Sequence, residues 1–244
     1  MYNYEFERIK RIVDEAENVV FFGGAGVSTE SGIPDFRGSQ GLYSEEVGGL
    51  SPEEILHAKY FKNHPEEFYE YYKANMLYPY ATPNAAHYAL ARLEDQGKLS
   101  GVITQNIDGL HQAAGSRNVI ELHGSVRRNY CTNCGKEFSQ SYVSGSSGVP
   151  MCDKCGHVIR PDIVLYGEGL STEAFYNAQE LVYYADVLIV GGTSLRVAPA
   201  STLVQDFGGD HLIIINYDPT PYDGIAEYVL NESVADVLDY IVNN

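Results

Sequence analysis

Apolar residues fall along the chain in two alternating rhythms. Phe6, Ile9, Val13 and Ala16 recur every three or four positions, the spacing that places them on one side of an amphipathic helix. Short unbroken apolar runs then appear near Val19, Val102, Val119, Ile163, Val187 and Leu212, several of them rich in β-branched residues. Runs of that length without polar alternation predict strands covered on both faces. Helical patterns separate most of them: Ala86, Leu90 and Leu93 make one stripe, the span from about Thr172 to Tyr184 another, and Val234, Val237, Leu238 and Ile241 the last. Strands alternating with helices predict an α/β fold built on a doubly wound parallel sheet. Helix starts are marked by Ser51-Pro52-Glu53-Glu54, which has capping-box spacing, by Pro65, by Thr82-Pro83 and by Ser233. The aromatic cluster Phe68, Tyr69, Tyr71 and Tyr72 reads as packing, because aromatic stripes at helical spacing are usually core.

The strand ends carry the chemistry. In open α/β sheets a ligand lies in the crevice beyond the carboxyl ends of the strands, so the polar residues there face it. The first run breaks into Gly23-Gly24-Ala25-Gly26-Val27-Ser28-Thr29, a turn whose glycines allow close approach to a pyrophosphate. Thr29 stands where a dehydrogenase fingerprint has its third glycine, and no ribose-binding acid follows at the end of the next strand, so hydride transfer fits poorly. Gln105, Asn106 and Asp108 follow the Val102 run, and His123 follows the Val119 run. A lone histidine is as readily a core residue, and Asp108 before Gly109-Leu110 is as readily a helix cap. Their company at neighbouring strand ends favours a site. Gly191-Gly192-Thr193-Ser194 is a second strand-to-glycine turn, and Asn216 ends the Leu212 run. Either glycine turn taken alone could be only a turn.

Composition narrows the classes. No run of eighteen apolar residues occurs and no signal-peptide core is present near the start, which predicts a soluble, cytoplasmic protein. A net charge of −17 disfavours contact with nucleic-acid phosphates and favours basic partners, although an acidic surface also serves plain solubility. The four cysteines form Cys131-x-x-Cys134 and Cys152-x-x-Cys155, seventeen residues apart, the spacing of a four-cysteine zinc site. Such a site has no open coordination position, so the metal is expected to be structural, with Arg127, Arg128, Lys136, Lys154 and Arg160 offsetting its charge and His157 not a ligand.

Thr104-Gln105-Asn106-Ile107-Asp108 with Leu110-His111 and Leu122-His123-Gly124, together with Gly32-Ile33-Pro34-Asp35-Phe36-Arg37-Gly38, resembles the signature of the sirtuins, NAD-dependent protein-lysine deacylases. The motifs occur in order over nearly the whole chain. The resemblance implies one catalytic unit over 1–244. A Rossmann-like NAD-binding lobe takes 1–38, 84–126 and 160–244, a cofactor loop and helical insertion take 39–83, and a zinc-ribbon module takes 127–159. It implies that Gly24, Ala25, Gly26, Thr29, Asp35, Phe36 and Arg37 contact NAD, and that Gln105 and Asn106 lie around the nicotinamide ribose. Ile107 and Asp108 would bind the nicotinamide amide, with Gly192, Thr193, Ser194, Asn216 and Val234 at the adenosine half. His123 is implied as general base, with Asn106 beside it, and an imidazole is suited to take a ribose hydroxyl proton at neutral pH. Val164 and Tyr166 would line an acyl-lysine tunnel, and Gly167 and Glu168 would pair with the substrate peptide as an added strand. Many relatives have phenylalanine in place of Tyr166.

Family members that prefer succinyl or malonyl lysine carry a tyrosine and, three residues later, an arginine on the tyrosine-rich helix. The resemblance matches these to Tyr69 and Tyr72, so neutral acyl groups such as acetyl are expected. The implied reaction releases nicotinamide, and the acetyl oxygen traps the anomeric carbon. A ribose hydroxyl activated by His123 then attacks, giving free lysine and O-acetyl-ADP-ribose. The expected partners are acetyl-lysine proteins or peptides, with no nucleic acid or membrane, met by a monomer. An ADP-ribosyltransferase and a non-catalytic NAD sensor are the rivals.

Overall fold

The computed structural model describes residues 2–35 and 46–243. Its strands are β1 (Val19–Gly23), β2 (Leu99–Thr104), β3 (Val119–Glu121), β4 (Gly124–Cys131), β5 (Glu137–Ser139), β6 (Ile159–Ile163), β7 (Val187–Gly191), β8 (His211–Ile215) and β9 (Tyr228–Leu230). Six of these form one parallel sheet in the order β3-β2-β1-β7-β8-β9. The chain builds outward from β1 to β3, then returns to place β7 against the other edge of β1. That reversal is the topological switch point, where open α/β sheets leave a crevice. Both strands flanking it end in glycine, with Gly23 paired to Gly191. Every residue of β1 and β7 is buried.

Alternation across the sheet divides its side chains between two layers. Phe21, Val102, Ile189 and Ile213 pack toward α1 (Tyr2–Glu15), α5 (Ala85–Asp95) and α9 (Val234–Asn243). Phe22, Ile103, Leu188 and Ile214 pack on the other side, with Ala178 and Val182 of α8 (Thr172–Tyr183). Helices on both faces explain why the strands read as unbroken apolar runs.

The Ile163 run departs from expectation. It belongs to β6, which pairs antiparallel with β4 in a separate sheet ordered β5-β4-β6, while the sixth strand of the large sheet is β9. The segment alternates buried and half-buried positions. Pro161 has no N–H to offer a ladder, and it lies beside a register shift in β4 between Ser125 and Asn129. A strand of that kind suits a small antiparallel sheet with one open face. The helical insertion, α2 (Pro52–Ile55), α3 (Ala58–Asn63) and α4 (Pro65–Asn75), covers it with Ile55, Phe68, Tyr69 and Tyr72, which pack with Val126, Ile159 and Ile163. Ser51 caps α2 in a capping box and Pro65 opens α4, both as read from the sequence.

Asn84, and not Thr82-Pro83, caps α5. Its side-chain oxygen accepts from the Ala86 N–H, while His87 Nδ1 accepts from the Asn84 N–H. His87 is fully buried 4.7 Å from the ring of His111, on α6 (Leu110–Ala114), and His87 Nε2 and both His111 nitrogens lack hydrogen-bond partners. Burial lowers the pKa of His87 to about 4 and, with the nearby His87, that of His111 to about 3. An unfolded chain protonates both near 6.5, so it binds more protons than the native state below that pH. This contribution to stability is complete above pH 6.5 and is lost as pH falls toward 4 and 3, at about 1.4 kcal/mol per pH unit for each ring. Removing one ring with His111→Phe should therefore flatten the loss of stability between pH 6 and 5 by about that amount. Urea unfolding at those two pH values reads it, and an unchanged slope refutes it.

Candidate active site

A cleft of about 850 Å³ opens at the switch point and runs between the large sheet and the small lobe. The two glycine turns meet at its floor. Gly26 donates its N–H to the Gly192 carbonyl at 2.8 Å, and a Cβ on Gly26 would lie 2.7 Å from the Gly192 Cα. Nothing larger than glycine fits either position without moving main chain, so these two turns sit close enough to hold one extended ligand. Gly24 lies beneath them, its carbonyl accepting from Asn106 Nδ2. Ala25, Gly26, Thr29 and Asp35 line the cleft from the first turn, and Gly192, Thr193 and Ser194 from the second. Asn216 and Val234 line the end near α9. Phe36 and Arg37 lie outside the described residues. The first turn continues as two short 3-10 turns, Ala25–Val27 and Thr29–Ser31.

Gln105, Asn106, Ile107 and Asp108 follow β2 into the middle of the cleft. Gln105 Oε1 accepts from the Thr193 hydroxyl at 2.8 Å, which ties the β2 end to the second glycine turn. Its Nε2 is buried without a partner, and an orphaned donor in a cleft wall fits a hydroxyl-bearing ligand such as a ribose. Asn106 spends its amide on the Gly24 carbonyl and the Ser28 hydroxyl, at 3.0 and 3.1 Å. Asp108 accepts from the Ser28 hydroxyl at 2.7 Å through one oxygen and from the Leu110 N–H at 2.8 Å through the other. It is thus both a cleft residue and the acceptor for the first N–H of α6, whose N-cap position is Gly109. Burial raises its pKa against the opposing pull of Leu110, Ser28 and Arg127.

His123, just past β3, enters the cleft from the side of the small lobe. Its Nδ1 lies 2.8 Å from the Gln105 carbonyl, which can only accept, so Nδ1 carries the proton and Nε2 keeps its lone pair. Burial holds its pKa below the usual value, partly offset by that hydrogen bond. Val164, Tyr166, Gly167 and Glu168 form the opposite wall.

The four cysteine sulfurs lie together in the small lobe, all within 4.8 Å of one another, with Cys131 to Cys155 at 3.4 Å and Cys134 to Cys152 at 3.7 Å. Zinc–thiolate bonds of about 2.3 Å place tetrahedral sulfurs about 3.8 Å apart, so Cys131, Cys134, Cys152 and Cys155 are positioned to bind one zinc ion. Three of the cations expected to offset its charge are otherwise engaged. Arg128 pairs with Glu121 and Asp162, Lys136 with Asp153, and Arg160 with Glu168. Cys131 Sγ is instead approached by the N–H groups of Asn133 and Cys134.

The Sir2 family model matches residues 24–199, from the first glycine turn past the second. The chain belongs to the Sir2 family. It is 51% identical over 240 residues to an NAD-dependent protein deacetylase of Clostridium acetobutylicum, covering 98% of both chains. Identity to the Clostridium tetani protein of the same description is 52%, covering 97% of this chain and 96% of that one. Among solved structures, a Sir2 variant with deacetylated p53 peptide and 3'-O-acetyl ADP ribose matches with a TM-score of 0.89 at 40% identity, covering 98% and 97%. Sir2 with p53 peptide and NAD+ matches with a TM-score of 0.86 at 41% identity, covering 98% and 97%.

One feature of this Sir2-family chain escaped the sequence reading. Ser28 is buried and links Asn106 to Asp108, yet it reads in the sequence as one more small residue of a glycine turn. The tyrosine helix packs as the sequence predicts, so Tyr69 and Tyr72, which the resemblance matched to acyl-contacting positions, do not line the cleft. Both are fully buried, Tyr69 donating to the Ile159 carbonyl and Tyr72 stacking on Phe68. From this side the cleft is lined by Leu56, Asn75, Met76 and Tyr78, with no cation among them.

Proposed function

We propose that this protein removes acetyl and other neutral acyl groups from protein lysines in an NAD-dependent reaction. The observation that carries the reading is the convergence of two glycine turns, an orphaned amide and an imidazole with a free Nε2 on one cleft. When bound, NAD supplies an anomeric carbon that becomes electrophilic as nicotinamide leaves. Gly24, Ala25, Gly26 and Thr29 cradle its phosphates, with Asp35 continuing that wall, and the resemblance assigns Phe36 and Arg37 to the same ligand. Gly192, Thr193, Ser194, Asn216 and Val234 hold the adenosine half. Gln105 and Asn106 hold the inner ribose, and Ile107 with Asp108 holds the carboxamide.

Val164 and Tyr166 aim the acyl-lysine, and His123 Nε2 takes the proton of a ribose hydroxyl. Leu56 and Met76 leave an acidic acyl group without a cation from that wall, which favours neutral acyl chains. Among the described residues no helix is long and apolar enough to cross a membrane. We place the protein in the cytoplasm, where four thiols stay available to a metal.

The test mixes protein, NAD and an acetyl-lysine peptide and follows products by mass spectrometry. Deacetylated peptide, nicotinamide and O-acetyl-ADP-ribose should appear in equal amounts. ADP-ribose attached to protein without loss of acetyl would identify a transferase, and intact NAD a sensor.

A further inference from the structure

The cleft wall opposite the glycine turns is a tight turn from Ile163 to Glu168, and its main chain is almost fully committed. The Val164 N–H goes to the His123 carbonyl. Tyr166 exchanges both of its main-chain groups with the helical insertion, its N–H to the Leu56 carbonyl and its carbonyl to the Ala58 N–H. The Glu168 N–H goes to the Leu165 carbonyl. Among the described residues, the Gly167 N–H and carbonyl and the Val164 and Glu168 carbonyls are left without partners. Gly167 adopts a φ of +85, and a Cβ there would lie 2.7 Å from the His57 ring, so its main chain is pressed between that ring and the cleft. An extended peptide adding to this edge therefore has Gly167 as its anchor.

A side chain holds that anchor in place. Glu168 Oε2 accepts the Leu165 N–H at 3.0 Å, closing the turn from its far end. The same oxygen is gripped by Arg160, whose guanidinium also donates to the Ile163 carbonyl and lies over the Phe61 ring at 5.8 Å. Both ends of the turn are thus fixed by one ion pair with side chains only 21% and 25% exposed.

We infer that Glu168 and Arg160 are positioning residues for the substrate peptide, the ion pair holding the Gly167 main chain in register for strand addition. This rests on the deacylase reading. It gives Glu168 a second role beyond main-chain pairing, acting through Gly167 and not on the cofactor.

The test uses acetyl-lysine peptides carrying one N-methylated amide at a time, from two residues before the acetyl-lysine to two after. The unmutated protein should penalise one of these by roughly tenfold or more in KM. Glu168→Ala should raise KM for the plain peptide by a comparable factor and lose the ability to tell that methylated peptide from the plain one. KM for NAD should stay unchanged. Glu168→Gln keeps an oxygen for the Leu165 N–H but no charge for Arg160, so it should fall between, and it decides alone if the alanine variant does not fold. Equal rises in KM for peptide and NAD, with the methyl penalty intact, would reduce the pair to a fold-stabilising contact and overturn the inference. So would an unmutated enzyme that turns over every methylated peptide alike. An enzyme that releases no nicotinamide with any acetyl peptide would instead overturn the deacylase reading itself.

Discussion

His123→Ala should leave a folded protein that binds NAD but has lost peptide deacetylation, with kcat/KM down by at least about a hundredfold. The ring is half-buried and its one hydrogen bond is to the Gln105 carbonyl, so the core beneath it, Leu122 among Ile103 and Leu188, is untouched by the change. His123→Asn separates two roles. An amide can replace Nδ1–H as donor to Gln105, but it has no lone pair of comparable basicity to take a proton. If the ring works as a base, both variants are equally inactive; if the asparagine enzyme keeps its rate, His123 only positions the β2 end.

The pH profile gives an independent reading of the same group. Burial lowers the His123 pKa more than its hydrogen bond restores it, so the neutral, base-competent form persists below pH 6.5. The acid limb of kcat/KM should therefore inflect below 6.5, with activity falling as pH drops through that point. An inflection above 6.5 would mean that the titrating group is not this ring or that its charged form has a partner.

What could be read from the sequence follows from how local each signal is. The strands of the large sheet that carry the cleft were legible because burial on both faces leaves no polar alternation, as β1 and β7 show. The meeting of the glycine turns was implied only by the family resemblance and not by local pattern, since Gly26 and Gly192 are far apart in the chain and touch only because β7 returns beside β1. The Ile163 run was misplaced because an apolar run does not name its partner. Its proline and the alternation of Ile159, Pro161 and Ile163 with Arg160 and Asp162 were the available clues to an antiparallel strand in a smaller sheet. Tyr69 and Tyr72 show the limit of matching positions along a helix, because which face of α4 turns inward is decided by Ile159 and Phe68. Ser28 was hidden differently: its two partners, Asn106 and Asp108, come from a distant strand end, and nothing around position 28 announces them.

Replacing one zinc ligand, Cys134→Ser, should cost activity as completely as losing His123, although no cysteine touches the cleft. The chain passes from His123 directly into β4, which ends at Cys131, and β4 pairs with β6, which begins four residues after Cys155. The Val164 N–H, just past β6, bonds back to the His123 carbonyl. Metal ligation therefore fixes one end of the β4–β6 pair while the His123 imidazole and the turn from Val164 to Glu168 sit at the other. Structural zinc contributes on the order of 10 kcal/mol or more to small metal modules, more than an antiparallel sheet of three short strands can supply from its own core.

Without the metal, β4 and β6 lose their register, and with it goes the geometry of His123 and Gly167. The six-stranded sheet has its own core of Phe21, Val102, Ile189 and Val237 and should survive. The expected result is a protein with its zinc content near zero, turnover reduced at least about a hundredfold and a separate, lost unfolding transition for the small lobe. Metal analysis, calorimetry and the deacetylation assay on one preparation check all three. A Cys134→Ser protein that holds no zinc yet deacetylates at the normal rate would show that the β4–β6 register, and the site it carries, is set by packing against Phe68, Tyr69 and Tyr72 alone.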